Sequence, residues 1–204
     1  GSGFEDIWNG GGEYTGFNAT TAEPISIVSN NAADNIAATG ARTMRLDGLD
    51  ADYNEISEEI TLTGTTPVVT LQSFIRCSFA VVLSAGSNGE PVGDIVANQS
   101  ITTANVFFEL PLGANRTMVA AYTIPAGKTA YVDNTFATLS KKTAASSEVK
   151  GRTRPFGGVF QTAEWYSVNS TGSSYVDRNF EKLSRPLEEK ADIIISADSD
   201  TNNT

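Results

Sequence analysis

Val69-Thr70-Leu71-Gln72-Ser73-Phe74-Ile75-Arg76-Cys77-Ser78-Phe79-Ala80-Val81-Val82-Leu83 is the stretch that decides the fold. Val69, Leu71, Ile75, Cys77, Phe79, Val81 and Leu83 share one parity, with Ser73 between them, and they face Thr70, Gln72, Arg76, Ser78 and Ala80. A period of two belongs to extended chain with one side against a core; a helix would repeat its apolar residues every three or four positions. The stretch reads as one long strand or as a bent pair of strands. Its apolar row, Cys77 included, is expected to face inward. Without a histidine or other activating partner, Cys77 reads as a small core residue rather than a nucleophile.

Outward from this stretch the same style continues. Tyr53–Thr63 carries Ile56, Glu58, Ile60 and Leu62 on one side, with only Glu58 out of character, and Gly64-Thr65-Thr66-Pro67 turns the chain. Upstream, Ile25–Ser29 is a β-branched run ended by Asn30-Asn31, and Thr43–Leu46 alternates. Downstream, Thr117–Ile124 runs into Pro125-Ala126-Gly127-Lys128 and then Thr129–Val132. Proline presets the first turn position and glycine supplies a left-handed one, so residues 117–132 read as a hairpin. Glu148–Arg154, Val159–Val168 and Ala191–Ala197 complete the strands, while Asp177–Leu183 holds at most a turn or two of helix before Pro186. The expected fold is all-β, an antiparallel β-sandwich of jelly-roll-like type. The body spans 25–204, either as one larger sandwich, the first reading, or as two sub-sandwiches divided near 99–104.

Composition agrees. Thr 23, Ser 19 and Asn 15 supply most of the polar surface, and charged residues make up only 19% of the 204 positions. Hydroxyls, amides and 18 glycines suit short strands and tight turns better than charged helices. The formal charge of −10 argues against nucleic acid as a partner. No apolar run approaches the length of a membrane helix, and no membrane partner is expected. The chain has no histidine, which removes imidazole-based triads, metal sites and proton shuttles; its one cysteine permits no internal disulfide.

Few residues propose chemistry. Asp50, Asp52 and Asn54 have the alternating spacing with which a calcium loop begins, but the sharp-turn glycine is missing and Glu55 follows at once. They are the one weak calcium candidate, against a solvated turn. Asp198, Asp200 and Asn202 repeat the spacing at the C-terminal end. No pair of carboxylates is singled out for glycoside hydrolysis. The chain is therefore expected to be no enzyme and to need no cofactor or metal. Lys141, Lys142, Lys150, Arg152 and Arg154 concentrate positive charge, with both arginines on one side of a strand, and they suit pairing with acidic loops of the same or a neighbouring chain. Trp165-Tyr166 beside Phe156 and Phe160 offer either a sugar-stacking platform or core aromatics. The loop Gly86–Gly93 has no following helix and no Lys-Ser/Thr ending, so it is no phosphate cradle.

Residues 1–24 read as an extended arm. Glycines at 1, 3, 10, 11, 12 and 16 loosen the backbone, yet Phe4, Ile7, Trp8, Tyr14 and Phe17 punctuate it. Such a segment pins its large side chains either onto its own body or onto a neighbouring subunit. These five are the candidate assembly residues.

Four segments taken in order carry a resemblance: Gly40-Ala41-Arg42-Thr43-Met44-Arg45-Leu46-Asp47-Gly48-Leu49-Asp50-Ala51-Asp52-Tyr53-Asn54-Glu55-Ile56, Thr61–Val68, Tyr122-Thr123-Ile124-Pro125-Ala126-Gly127-Lys128-Thr129, and Arg154-Pro155-Phe156-Gly157-Gly158-Val159-Phe160-Gln161. Together they resemble a family of virion structural proteins of marine tailed bacteriophages, over roughly Phe4 to the C-terminus. The resemblance implies a β-rich particle component present in many copies, located in the virion as an exterior capsid decoration or cement protein or a tail-associated one. It implies other virion proteins and further copies of itself, a trimer by analogy, as partners. It brings no catalytic residues. It also implies a further apolar strand beyond residue 204 in related chains. The alternative is a host-recognition fibre module that binds surface glycan through loops such as Ser84–Gly93 and Asn169–Ser174.

Overall fold

The computed structural model describes residues 3–132, 134–139, 145–170, 175–179 and 186–199. Along them run the strands β1 (Glu5–Asp6), β2 (Glu23–Ser29), β3 (Ala41–Leu49), β4 (Glu55–Thr61), β5 (Val68–Phe74), β6 (Arg76–Ala85) and β7 (Ile95–Gln99). They continue as β8 (Val106–Leu110), β9 (Ala121–Thr123), β10 (Asn134–Thr138), β11 (Ser146–Arg154), β12 (Gln161–Asn169), β13 (Tyr175–Asn179) and β14 (Asp192–Ser199). One 3-10 turn, Thr15–Asn18, is the sole helical element among the described residues. The fold is all-β, and every strand pairing is antiparallel. The chain groups into two compact units, one of residues 8–119 and one of 1–7 with 120–204.

The unit of residues 8–119 is a sandwich of two sheets, β5-β2-β7-β8 and β4-β3-β6. Pairings are nested, β2 with β7 outside β3 with β6. Ile25 and Ile27 from β2, Met44 and Leu46 from β3, and Ile95, Phe107 and Leu110 from β7 and β8 are fully buried between the sheets. Each contributes roughly 1.5–3 kcal/mol by leaving water. On β2 the alternation of buried and half-buried positions is unbroken over all seven residues.

The deciding stretch is a bent pair, not a single strand. β5 and β6 meet at Ile75 and belong to different sheets, β5 beside β2 and β6 beside β3. Crossing from one layer to the other reverses which parity faces inward. Leu71, expected inside, is 95% exposed, and Val69 is also exposed; Thr70 and Phe74 are the buried residues of β5. Past the bend, Ile75, Cys77 and Ala80 are buried, while Phe79 and Val81 are half-buried and Leu83 is exposed. Thr70 tolerates the interior because its Oγ1 accepts from Ile25 N at 2.8 Å and donates to Gln72 O at 2.8 Å. The β2–β5 register slips between Pro24 and Ser26, so Thr70 replaces the ladder bond that Ile25 lacks there.

Glu58, the misfit of its strand, has a job. Its two carboxylate oxygens accept from Leu71 N at 2.7 Å and Gln72 N at 2.8 Å, and Gln72 Nε2 donates to Ser57 O. These bonds join edge strand β4 of one sheet to edge strand β5 of the other. On the far side, segment 115–117 lies along β6, with Val82 N donating to Asn115 O and Thr117 N to Ala80 O.

The second unit is a sheet of order β1-β14-β11-β12, with β9 also on β14, and a separate ribbon of β10 and β13. Val149, Tyr166 and Val168 form a small core with Ala137, Leu139 and Ile195. The turn at Pro125–Lys128 is present, with Lys128 N donating to Pro125 O and Gly127 at φ +70°. Its flanks, however, do not make a hairpin. β9 pairs with β14, and Ala130 pairs with Leu187, so both flanks are taken by the segment 187–194. Asp177 lies in β13, and residues 180–183 of the expected helical turn lie outside the described residues.

The units divide at 7/8 and 119/120, rather than at 24/25 or near 99–104. Residues 99–104 are the end of β7 and most of its connection to β8, closed within the 8–119 unit by Gln99 N donating to Asn105 O.

Candidate functional site

The five arm residues all pack on their own chain. Tyr14 and Phe17 are buried, edge-to-face at 5.1 Å, and Tyr14 OH donates to Phe107 O. Trp8 sits edge-to-face on Tyr14 at 5.4 Å and donates from Nε1 to Gly12 O. Buried Arg76 holds the far end of this cluster: its guanidinium lies against the Phe17 and Tyr53 rings and donates to Ala19 O and Ile75 O. Phe4 and Ile7 go to the other unit. Phe4 is edge-to-face on Trp165 at 5.7 Å, and the Lys150 ammonium lies 3.7 Å from the Phe4 ring centre and 4.2 Å from that of Trp165. Ile7, exposed on one side, lines a groove of about 390 Å³ with Thr135, Leu139, Val149, Tyr166 and Val168. The glycines thus let residues 8–24 fold back on β8 and β6.

Asp50, Asp52 and Asn54 close a turn around the Asp50 carboxylate. Asp50 Oδ1 accepts from Asp52 N and Asn54 N, each at 2.9 Å, and Asn54 Nδ2 donates to the same carboxylate. Tyr53, inside the same turn, takes a left-handed conformation, φ 69°. Desolvation pushes the Asp50 carboxyl up, but the Asn54 backbone and amide and the Asp52 and Tyr53 backbone N–H groups outweigh it and hold it below the usual aspartate range. The carboxylate is spent on the turn. No group of three metal-ligating side chains occurs among the described residues. Asp200 and Asn202 of the C-terminal repeat lie outside the described residues.

The basic residues of β11 are internally matched. Arg152 pairs with buried Asp6, which also accepts from Ser196 Oγ at 2.7 Å. Arg154 donates from two nitrogens to buried Asp192, whose other oxygen accepts from Thr123 Oγ1. Both guanidinium groups lie against the Phe160 ring. These pairs join β11 to β1, β14 and β9; the arginines find acids within their own chain, but on neighbouring strands rather than on the expected loops. Lys141 and Lys142 lie outside the described residues.

Trp165 and Tyr166 part company. Tyr166 is buried over the groove, and Trp165, half exposed on the opposite face, donates from Nε1 to Glu148 Oε2 at 3.1 Å. Phe156 is exposed at the Pro155–Gly158 turn, with the Lys190 ammonium 5.3 Å from its ring centre. Cys77 is buried, and burial pushes its thiol up to about 12, so it is no thiolate at neutral pH.

Nothing in the sequence marks a further buried polar centre, at Asp34. Asp34, fully buried, accepts four hydrogen bonds: Ala41 N at 2.8 Å and Val92 N at 3.0 Å on Oδ1, Ser29 Oγ at 2.7 Å and Gly93 N at 3.0 Å on Oδ2. It ties the start of β3 and the end of the 86–93 loop to the end of β2. Gly40 is required beside it, because any Cβ there would strike the Asp34 carboxylate. Glu23 acts likewise on the β7–β8 connection, accepting from Ile101 N, Thr102 N and Thr102 Oγ1. Asp94 accepts from Asn30 Nδ2 and Leu112 N. With Asp50 and Glu58, these acids form a set whose carboxylates cap backbone N–H groups. Comparison with known proteins returned no match: no family model, no curated protein and no solved structure aligns significantly with the chain.

Proposed function

We propose that the protein is a structural component of a tailed-phage virion, an exterior capsid decoration or cement protein or a tail-associated one, acting through repeated contacts rather than chemistry. The observation that carries this reading is the set of large apolar side chains left outward on strands and tight turns. Leu71 is 95% exposed on β5, Val159 70% and Phe156 63% around the Pro155–Gly158 turn. Side chains held outward by a rigid backbone lose little further freedom on binding, so they favour contact surfaces. The four collinear segments that resemble phage virion proteins support the same reading. Its partners are further copies of itself, a trimer by analogy, and other virion proteins. Each contact is of modest strength, and multiplicity supplies the rest.

Quantitative mass spectrometry of purified particles tests this: the protein should appear at a fixed, multi-copy ratio to the major capsid protein, and its absence from particles would end the proposal. Trp165, half exposed between Lys150 and Glu148, favours a second reading as a glycan-binding host-recognition module. Stacking of a sugar on that ring would quench tryptophan fluorescence on adding host surface polysaccharide.

A further inference from the structure

We infer that residues 8–119 are a guest domain inserted into a single strand of a host domain, and that the host strand persists when the guest unfolds. The register on β14 carries the inference. Asp192, Ile193 and Ile194 pair with Thr123, Tyr122 and Ala121; Ser196 and Ala197 pair with Asp6 and Glu5. The position between them, Ile195, bonds to both pieces: Ile7 N donates to Ile195 O at 2.9 Å, and Ile195 N donates to Ala120 O at 2.9 Å. Ala120 N closes the gap by donating to Ile7 O at 2.8 Å. No position on β14 is skipped. β1 and β9 are therefore two parts of one antiparallel strand, which the chain leaves after Ile7 and rejoins at Ala120.

The guest closes on itself at the same point. Trp8 pairs with Val119 in an antiparallel bridge, so the guest's two ends are neighbours, as the ends of an inserted domain must be. The first residues of the guest are fastened within it, Asn9 Nδ2 to Glu109 O and Tyr14 OH to Phe107 O.

The host half of the split strand has anchors that owe nothing to the guest. Asp6 is held by Ser196 and Arg152, and Phe4 by Trp165 and Lys150. An unfolded guest would leave a long loop between Ile7 and Ala120, and the entropy cost of closing a loop grows only with the logarithm of its length. The two units then open independently, each as its own cooperative block. A different domain with adjacent ends is acceptable in place of residues 8–119.

The test is hydrogen exchange followed by mass spectrometry on the full-length chain. Phe107→Ala, in the guest core, should raise exchange at least tenfold in β3, β6 and β7 while β9 and β14 stay within about twofold of the parent chain. The reciprocal variant, Ile194→Ala, should raise exchange in β9 and β14 and spare the guest. If either variant deprotects both units, the split-strand assignment falls. Should Phe107→Ala fail to express, the full chain with Gly-Ser linkers inserted at both 7/8 and 119/120 decides: retained protection in both units supports the inference, and loss of β1–β14 protection overturns it.

Discussion

Replacing Asp34 with alanine is the most exacting perturbation of the 8–119 unit. The carboxylate is fully buried and satisfies the N–H groups of Ala41, Val92 and Gly93 and the Ser29 hydroxyl. Alanine leaves all four donors without an acceptor. A buried donor stranded in this way costs roughly 1–3 kcal/mol. Ser29 can turn its hydroxyl elsewhere, and water can enter the space vacated by the carboxylate. Against this, the cost of keeping a charge out of water is refunded. Three backbone donors at the low end of the range give a net loss of about 3 kcal/mol. For a unit of this size, each kcal/mol lowers the melting temperature by roughly 4 °C, so the shift should exceed about 10 °C. Asp34→Asn keeps one oxygen, and its amide faces Ser29 Oγ, which can accept; about half the alanine effect is expected. Ser29 and Gly93 meet Oδ2 while Ala41 and Val92 meet Oδ1, so the amide must still oppose at least one N–H. Urea denaturation of the full chain, followed by exchange in β2, β3 and β7, provides the assay. A loss under about 1 kcal/mol for Asp34→Ala, or asparagine no better tolerated than alanine, would refute the reasoning.

Three further outcomes follow from single sites. The Glu23 carboxyl is held below its ordinary value of 4.5, first by the Thr102 N–H, then by the Thr102 hydroxyl and the Ile101 N–H, against a smaller upward push from desolvation. A depressed folded pKa contributes stability that is complete above the ordinary value and disappears as pH falls through the folded one. Glu23→Gln should therefore flatten the acid limb of the stability profile below about pH 4.5 and change little in its shape above it; an unchanged acid limb would count against the assignment. Cys77, buried with its thiol pushed to about 12, should resist thiol reagents at pH 8 until the 8–119 unit is unfolded, and rapid labelling of the native chain would contradict its placement. Leu71→Ser should alter stability by less than about 0.5 kcal/mol, while Phe74→Ala should cost about 3–5 kcal/mol. Equal effects would mean that the inward parity of β5 is misassigned.

How much of this was legible in the sequence depends on how far each signal reaches along the chain. Alternation is local, and it announces strands at 25–29, 43–46 and 53–63, where the structure has Glu23–Ser29, Ala41–Leu49 and Glu55–Thr61. Which parity faces inward is not local. On β5 it follows from the bend at Ile75, which the run Val69–Leu83 conceals because its apolar residues keep one parity straight through the crossing from sheet to sheet. The phenylalanine of that stretch on the wrong parity, Phe74, was the available clue: it is fully buried where Leu71 is not. The Pro125–Lys128 turn shows the same limit. Its residues dictate a reversal, but pairing of the flanks depends on what else competes for them, and residues 187–194 win both.

Side-chain roles were least legible where the partners are backbone groups. Arg152 and Arg154 could be expected to seek acids, because charge and strand parity are written in the sequence. Asp34, Glu23 and Glu58 could not be told from solvated turn acids, since nothing in a sequence marks a distant N–H as unpaired. Val92 and Gly93 lie 58 and 59 residues from Asp34, and Thr102 lies 79 from Glu23. This division explains why the acidic composition pointed to no catalytic pair. A sandwich with many loop connections strands backbone donors wherever the ladder ends, and a carboxylate satisfies two or more of them at once. Such caps fix the connections between strands, the 86–93 loop through Asp34 and the β7–β8 connection through Glu23. In the 8–119 unit the apolar core and these inward carboxylates share the interior: Asp34 is as fully buried as Met44 and Ile95, because every hydrogen bond it needs is supplied by its own chain.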